Sequence, residues 1–329
     1  GEFELGPTGC GQINILGVSG PIGKSVNDLE IMARVLNSER LHSGDLLTSD
    51  FSIPNVPWKH DQTFIKEGTK LTFGYYETLN DIKACRTARR AVRETIQRLR
   101  EEGHTVIELD MSIFSKAMDA HVRLISADSL KMAYDVLGRE KLLDEYQSAE
   151  TSVALGSWGK KVVYHLLKFF GEGILAKTLK PFGECSVVEY LEASDMQLKI
   201  QDHFIKLFQK LKIDALISPG FPVPAVQSKH SDMLITTGCY TALYNFLKFP
   251  TGSIPITVVE PGEDIYEEKT GKSQDSFEKC IAKDMKGSVG MPMNVQVATL
   301  PFQDEKCIAV MRVIEKLIPF YKTHKYPVQ

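Results

Sequence analysis

The sequence lacks the patterns that assign many chains to a class at once. It has no run of about 18 uncharged apolar residues, so no segment is predicted to span a bilayer unaided. Its six cysteines include no Cys-x-x-Cys pair and its eight histidines show no metal-ligand spacing, so we predict free thiols and no metal site. A net charge of −3 provides no positive field that would attract a nucleic-acid partner.

Motifs that carry nucleophilic catalysis or bind phosphate are also missing. Ser19 lies in Gly17-Val-Ser-Gly20, but a nucleophile elbow of the Gly-x-Ser-x-Gly type would need a glycine in place of Pro21. The glycines that recur in this stretch as far as Gly23 do not fit the dinucleotide-binding pattern Gly-x-Gly-x-x-Gly. We therefore predict neither a catalytic nucleophile here nor a bound cofactor.

What the sequence does contain is typical of one globular α/β domain. Hydrophobic residues make up 43% and charged residues 25% of the 329 residues, which is enough for a substantial core. Short apolar runs at Leu71–Tyr75 and Thr105–Leu109 flank an amphipathic helix at Ala84–Glu102, which ends at Gly103. This order predicts two parallel strands joined by a helical crossover.

The rest of the chain continues the alternation of helices and strands. The other predicted helices are Ala117–Leu143, Ser186–Leu211, Thr241–Leu247, Asp304–Ile318 and one that opens at Ser25. The other predicted strands are Ile213–Ile217, Ser253–Val259 and Met293–Ala298, and Glu260–Gln274 is a charged surface segment. Together these elements predict an α/β fold in which helices flank a mixed β-sheet.

The segment 151–182 has the most informative pattern of polar and apolar residues. At about 100° per residue, its apolar side chains fill one arc of a helix. Five lysines accompany a single acid, Glu172. A helix that lies in the lipid interface needs this combination, whereas a surface helix packed on the core would need only the apolar arc. The side chains predicted to contact a membrane are Trp158, Val162, Leu166, Phe169, Phe170, Ile174 and Leu175.

Five sequence blocks carry a family resemblance. In chain order they are Leu5-Gly-Pro-Thr-Gly9, Gly20-Pro-Ile-Gly-Lys-Ser-Val-Asn-Asp-Leu29, Gly74-Tyr-Tyr-Glu-Thr78, Tyr240-Thr-Ala-Leu-Tyr-Asn-Phe-Leu-Lys-Phe-Pro250 and Met285-Lys-Gly-Ser-Val-Gly-Met-Pro-Met-Asn-Val-Gln296. The Gly20–Leu29 block is weakly specific on its own, but the set as a whole resembles the amidase signature family and, within it, the animal fatty acid amide hydrolases. The resemblance extends from about residue 5 to residue 317.

This resemblance implies the architecture of the chain. Residues 1–329 are expected to be the C-terminal part of a single amidase domain, so that the amidase signature fold is incomplete. Residues 151–182 fall where the family carries a helical, lipid-facing cap through which fatty amides enter. The resemblance also implies a homodimer that is monotopic on the cytoplasmic face of intracellular membranes such as the endoplasmic reticulum.

The resemblance places the catalytic residues outside this chain. Family members hydrolyse amides with a serine nucleophile, a bridging serine and a lysine base, all upstream of the block that begins at Leu5. No Gly-Gly-Ser-Ser-Gly stretch is present, and Lys24 matches a family arginine rather than the base. The chain starts at Gly1 rather than at a methionine, so we expect upstream sequence. Without the catalytic residues we expect the isolated chain to be inactive, and without the N-terminal part we expect its sheet edges to be exposed.

What remains would line the substrate channel. The resemblance implies that fatty acid amides, either N-acylethanolamines or primary amides, bind against Tyr75, Tyr76, Tyr240, Ala242 and Phe277. For each of these residues, packing in the core is an equally good interpretation. Two other functions are also compatible with the sequence: a catalytically inactive protein that binds lipid or a partner, and a soluble amidase that acts on small amides.

Overall fold

Among the described residues, a five-stranded mixed sheet forms the centre of the structure. The structure, a computed structural model, describes residues 13–37, 58–79, 81–138, 140, 143, 147–269 and 271–324. The strands are β1 Thr72–Tyr75, β2 Thr105–Glu108, β3 Ala215–Pro219, β4 Thr251–Val258 and β5 Pro292–Ala298. Their order is β2-β1-β3-β5-β4, with β1 parallel to β2 and β3, and β5 antiparallel to β3 and β4. The predicted mixed sheet is confirmed.

Helices flank this sheet, again as predicted. They are α1 Val26–Leu36, α2 Arg86–Glu101, α3 Phe114–Ser126, α4 Lys131–Leu137, α5 Gln147–Ala154, α6 Gly156–Phe169, α7 Gly173–Leu179, α8 Val187–Leu211, α9 Cys239–Leu247, α10 Ser276–Asp284, α11 Asp304–Leu317 and α12 Phe320–Thr323. Short 3-10 turns occupy His60–Thr63, Ser228–His230 and Ile235–Gly238. Capping boxes at Ser25, Ser186 and Asp275 satisfy backbone N–H groups where α1, α8 and α10 begin.

The β1-α2-β2 unit follows the prediction closely. Thr72 pairs with Thr105 in a parallel register, and α2 buries Val92, Ile96 and Leu99 against the sheet. The helix ends before Gly103, which has φ +79, a left-handed conformation that glycine adopts without the strain of a Cβ atom. The spacing of apolar residues along α2 therefore correctly predicts both where the helix lies in the chain and which of its faces packs against the sheet.

Two segments differ from their predictions. The helix expected over 117–143 ends at Ser126, and Asp128 restarts the chain as α4 by accepting hydrogen bonds from the N–H groups of Leu130 and Met132. An aspartate whose carboxylate accepts hydrogen bonds from the N-cap residue and the first turn of a helix is a local start signal within an otherwise helical pattern. Helix α10 was not predicted, although Asp275 and Glu278 form the capping box that marks its start.

His121 lies in the core, on the face of α3 that packs against α9. Its ring meets Phe246 edge-on with 6.2 Å between ring centroids, and its Nδ1 is buried without a hydrogen-bond partner. Burial lowers the pKa of His121 to about 4 from an ordinary value of 6.5. This packing role of His121 therefore has a consequence for stability.

We expect His121 to make the protein less stable as the pH falls from about 6.5 to about 4. In that window the unfolded chain binds a proton that the folded chain excludes, so the free energy of unfolding decreases by about 2–3 kcal/mol. Urea unfolding at a series of pH values measures this slope. His121→Leu should flatten it, and equal slopes for the two proteins would contradict the prediction.

Candidate functional site

The carboxyl ends of the parallel strands meet at one edge of the sheet. There β1 leads into Tyr76 and Thr78, and β3 leads into the proline-rich segment 219–224. Because β5 is antiparallel to β3, its first residues reach the same edge. Ligands of open α/β sheets bind at this edge, so we consider it the candidate site.

A cluster of buried hydroxyl groups lies at this edge. The Tyr244 hydroxyl is 2.6 Å from Ser218 Oγ and 3.4 Å from the Tyr76 hydroxyl. Nearby, the Tyr240 hydroxyl accepts a hydrogen bond from the Leu79 N–H at 2.9 Å. Burial raises the pKa of Tyr244 to about 12, so this phenol remains protonated at neutral pH. The cluster can therefore position groups by hydrogen bonding, but it does not supply a general base.

The structure brings together only some of the predicted substrate-binding residues. Tyr76 and Tyr240 are buried with 6.5 Å between ring centroids, and Phe277 is buried in α10. Tyr75 and Ala242 are half-buried. Tyr75 has the Arg100 guanidinium over its ring at 5.9 Å, away from Tyr76, since successive strand residues point to opposite faces.

Two surface pockets of about 310 and 90 Å³ lie between α2 and the end of α11, and between α2 and the segment 265–268, and none of the five predicted residues lines either of them. A role in substrate binding stays a prediction for all five, and packing accounts for the three buried ones.

We predict that the Tyr240 hydroxyl stabilises the fold. It donates to the Ile82 carbonyl at 2.7 Å and accepts from the Leu79 N–H, so Tyr240→Phe leaves two buried backbone groups unpaired. The free energy of unfolding should fall by about 1–3 kcal/mol. Urea titration measures this loss. Tyr75→Phe, at a half-buried tyrosine, is the matched control and should lower the free energy of unfolding by less than about 0.5 kcal/mol. An unchanged midpoint of urea unfolding in Tyr240→Phe would contradict this structural role and leave the hydroxyl available for a role in substrate binding.

Three residues of the site, Gln296, Tyr244 and Ser218, were not found from the sequence. Gln296 donates from Nε2 to the carbonyls of Pro219 and Tyr240, and thereby joins β5 to the ends of β3 and α9. Tyr240 and Tyr244 are four residues apart on α9, a spacing that places both on one helix face. That four-residue spacing is the sequence feature that could have identified Tyr244, whereas no pattern in the sequence points to Ser218.

Within the segment 151–182, α6 and α7 form a helical hairpin that follows the end of α5. Gly171, with φ +83, lies in the turn between α6 and α7. On α6 and the turn, Trp158, Phe169 and Phe170 are 80%, 83% and 73% exposed. Val162 and Leu166 are also exposed on α6. The hairpin therefore presents a row of large apolar side chains to its surroundings.

The apolar face does not continue into α7 as predicted. Ile174 is 4% exposed and belongs to the core, and Leu175 is half-buried and packs against it. The turn at Gly171 reverses the chain, so the apolar side of α7 faces the protein body. Ile174 is therefore removed from the set of predicted membrane contacts, and Leu175 is at most a marginal member.

Reciprocal hydrogen bonds attach the hairpin turn to α10. The Glu172 carboxylate accepts from the Ser276 N–H at 2.8 Å and from its hydroxyl at 2.7 Å. In return, the Ile174 N–H donates to an Asp275 carboxylate oxygen at 3.1 Å. Lys177 adds an ion pair to Asp81, in the loop that follows β1. These contacts hold the exposed row beside the carboxyl edge of the sheet.

Lysines surround the exposed row. Lys161, Lys168 and Lys180 are exposed, and Lys168 lies over the Tyr164 ring at 5.2 Å. Lys160 instead donates to the Phe182 carbonyl at 2.8 Å, which ties α6 to the end of the hairpin. Lys160 therefore has a structural role, whereas Lys161, Lys168 and Lys180 present positive charge to the surroundings of the hairpin.

The described residues contain neither a metal-binding cluster nor a membrane-spanning helix. Within the described ranges, no group of three or more His, Cys, Asp or Glu side chains is arranged to hold a metal ion. No helix in the described part of the chain is both long and apolar enough to cross a bilayer.

Comparison with known proteins decides the family. The profile of the amidase family matches residues 6–308. The chain belongs to the amidase family. The resemblance inferred from the five sequence blocks is thereby confirmed, and so is the expected amidase fold of a mixed sheet flanked by helices.

Other amidases agree along most of the chain. It is 28% identical over 320 residues to fatty-acid amide hydrolase 1 of Sus scrofa, covering 94% of this chain and 52% of that protein. It is 25% identical over 299 residues to fatty acid amide hydrolase 1 of Caenorhabditis elegans, covering 90% and 50%. An amidase of Gibberella zeae is 26% identical over 322 residues, covering 94% and 52%. The chain spans about half the length of these relatives.

Solved structures give the same fold. The chain superposes on a structure described as fatty acid amide hydrolase with a TM-score of 0.70 at 20% identity, covering 94% of this chain and 50% of that one. A bacterial aryl acylamidase of the amidase signature enzymes gives a TM-score of 0.56 at 15% identity, covering 94% and 55%. At these identities the likeness concerns the fold.

Proposed function

We propose that this amidase chain is the membrane-docking and substrate-channel part of an enzyme that hydrolyses fatty acid amides to a fatty acid and an amine. Two relatives named fatty acid amide hydrolase support this substrate class. The hydrolysis itself would use a serine, a bridging serine and a lysine in the half of those relatives that this chain does not match. Residues 1–329 alone are therefore expected to be inactive.

The observation that carries the proposal is the exposed aromatic row of the hairpin. Trp158 and Phe169 are eleven residues apart on α6, which separates them by about 16 Å along the helix axis. An aromatic or aliphatic side chain that leaves water completely contributes about 1.5–3 kcal/mol. Each lysine close to an anionic surface contributes about 1 kcal/mol. A helix with both features binds in the plane of the lipid interface.

The proposed location and assembly rest on the hairpin and on the family resemblance. A hairpin that lies in one leaflet makes the protein monotopic, and we propose the cytoplasmic face of intracellular membranes such as the endoplasmic reticulum. A fatty amide would then reach the carboxyl edge of the sheet from the bilayer, because Glu172 and Lys177 hold the hairpin beside that edge. A homodimer is proposed by family resemblance.

Tryptophan fluorescence tests the membrane part of the proposal. The chain has two tryptophans, and Trp158 is exposed while Trp58 packs partly against the core. Vesicles that contain phosphatidylserine should shift the Trp158 emission to shorter wavelength, and high salt should weaken the effect. Trp158→Phe, the matched control, should lose the response. An unchanged emission spectrum would favour a soluble amidase that acts on small amides.

The natural protein tests the catalytic part. It can be captured from its source with an antibody to α2, and its intact mass and its hydrolysis of an N-acylethanolamine measured together. A mass well above 36.8 kDa with release of fatty acid is expected. A mass of 36.8 kDa without hydrolysis would contradict the enzyme proposal and favour a catalytically inactive lipid-binding protein.

A further inference from the structure

The pocket of about 310 Å³ between α2 and the end of α11 has two chemically different walls. One wall is a face of α2, where Gln97 and Arg98 lie three and four residues after Glu94 and therefore on the same side of the helix. The other wall is apolar and is formed by Leu317, Ile318 and Pro319. Sites for small molecules have volumes from about 300 Å³ upward. A molecule with one polar and one apolar end would match both walls.

Two donors of the polar wall already hold a carboxylate. Gln97 Nε2 donates to Glu101 Oε1 at 3.0 Å, and Arg98 Nη1 donates to Glu101 Oε2 at 3.1 Å. The two oxygens of one carboxylate are therefore bound by an amide and a guanidinium at the same time. Glu101 is not among the residues that line the pocket, so it binds these donors from outside. Its carboxylate shows which chemical group the two donors recognise.

A carboxylate from another molecule can replace that of Glu101. Arg98 and Glu101 are 61% and 48% exposed, and an ion pair this exposed adds little to stability, because water and ions screen it. Glu101 can therefore turn into solvent at little cost. The guanidinium of Arg98 suits the exchange, because its N–H groups lie in one plane and match the two oxygens of a carboxylate.

The remaining acid of the polar wall is already paired. Glu94 would repel a carboxylate, but Arg90 Nη1 donates to it at 2.8 Å. The head of a ligand is therefore placed at the Arg98 end of the wall. The C-terminal ends of α2 and α11 lie beside the pocket, and their carbonyl groups do not attract an anion. Most of the affinity must then come from the apolar wall, so the ligand needs an apolar chain.

We propose that this pocket binds a monocarboxylate with an apolar chain, with its carboxylate on Gln97 and Arg98 and its chain on the apolar wall. Leu317 and Ile318 are half-buried and pack against the core, so this wall is formed before a ligand arrives and loses little conformational entropy. A fatty acid, which the proposed hydrolysis releases, belongs to this chemical class. Only that last link rests on the proposed function.

Titration calorimetry of the 329-residue chain with sodium octanoate tests the site. One octanoate should bind per chain. Butyrate should bind about tenfold or more weakly, because its short chain leaves most of the apolar wall uncovered. Octan-1-ol has the same chain as octanoate without the carboxylate, and it should also bind about tenfold or more weakly.

Substitutions at exposed positions of α2 test the carboxylate end. Arg98→Met should weaken octanoate binding by about tenfold or more. Glu101→Gln removes the competing carboxylate and should strengthen octanoate binding by about threefold. Arg93→Met, at an exposed arginine of α2 that does not line the pocket, is the matched control and should bind like the parent chain. Phe169→Ser, at an exposed position of the hairpin, should also have no effect.

Each outcome decides the inference. Absence of octanoate binding would overturn it, and so would equal binding by Arg98→Met or equally tight binding of octan-1-ol. Loss of binding in Phe169→Ser would also overturn it, because octanoate would then bind to the hairpin. Hydrolysis of a fatty amide by the natural protein is measured separately. Binding that depends on Arg98 without hydrolysis supports the site and contradicts the proposed function, and hydrolysis without such binding does the reverse.

Discussion

Replacing Trp158, Phe169 and Phe170 together with serine should weaken binding to phospholipid vesicles by about a hundredfold or more. All three side chains are mostly exposed in the folded protein, so the loss reflects apolar surface that would otherwise enter the lipid. Partial insertion of three aromatic side chains is worth about 3 kcal/mol or more in total, which corresponds to that factor in affinity. Vesicle sedimentation at several lipid concentrations measures the change.

The controls separate membrane contact from folding. Since Phe169 and Phe170 make little contact with the core, the triple variant should unfold within about 1 kcal/mol of the parent protein. Leu198→Ser removes a comparably exposed apolar side chain outside the hairpin and should bind vesicles normally. Loss of vesicle binding in this control as well, or its retention in the triple variant, would contradict the proposed role of the hairpin.

The hairpin illustrates how far helical periodicity reaches. Along α6 the side chains project at fixed angles, so the exposed positions of Trp158, Leu166 and Phe169 agree with the predicted arc. Ile174 does not, because the arc was extended through Gly171 as if the helix were continuous. A turn resets the direction of every later side chain, and periodicity within one element contains no information about that reset.

Local and long-range features of the sheet were predictable to different degrees. The β1-α2-β2 unit depends on neighbouring segments whose apolar periods differ, and it was found nearly at its true bounds. The insertion of β5 between β3 and β4 was not predicted, because strand order depends on contacts between segments far apart in the chain. The same limit applies to the candidate site, where Tyr76 and Tyr240 came from family blocks and Ser218 came only from the fold.

A charged cluster connects α2 with the end of the edge strand β4. Arg90 donates from Nε and one terminal nitrogen to the two carboxylate oxygens of Glu263, at 3.0 and 2.7 Å. It also donates to Thr257 Oγ1 at 2.6 Å and to the Val258 carbonyl at 2.8 Å. Glu263 is buried, so its charge depends on this arginine. Burial tends to raise the pKa of Glu263, but hydrogen bonds from Arg90 and the Glu260 N–H outweigh it, and the pKa is lowered overall.

Arg90→Met should reduce the free energy of unfolding by about 3–5 kcal/mol, because it leaves the Glu263 carboxylate buried without its cation. Without the arginine, burial dominates and raises the pKa of Glu263, so the folded variant takes up a proton as the pH falls. The stability difference from the parent protein should therefore narrow between about pH 7 and pH 5. Urea unfolding at both pH values measures it. Adding Glu263→Gln to Arg90→Met should restore more than half of the lost free energy of unfolding. If neither the change in pH nor Glu263→Gln alters the stability difference, Arg90 does not stabilise the protein through Glu263.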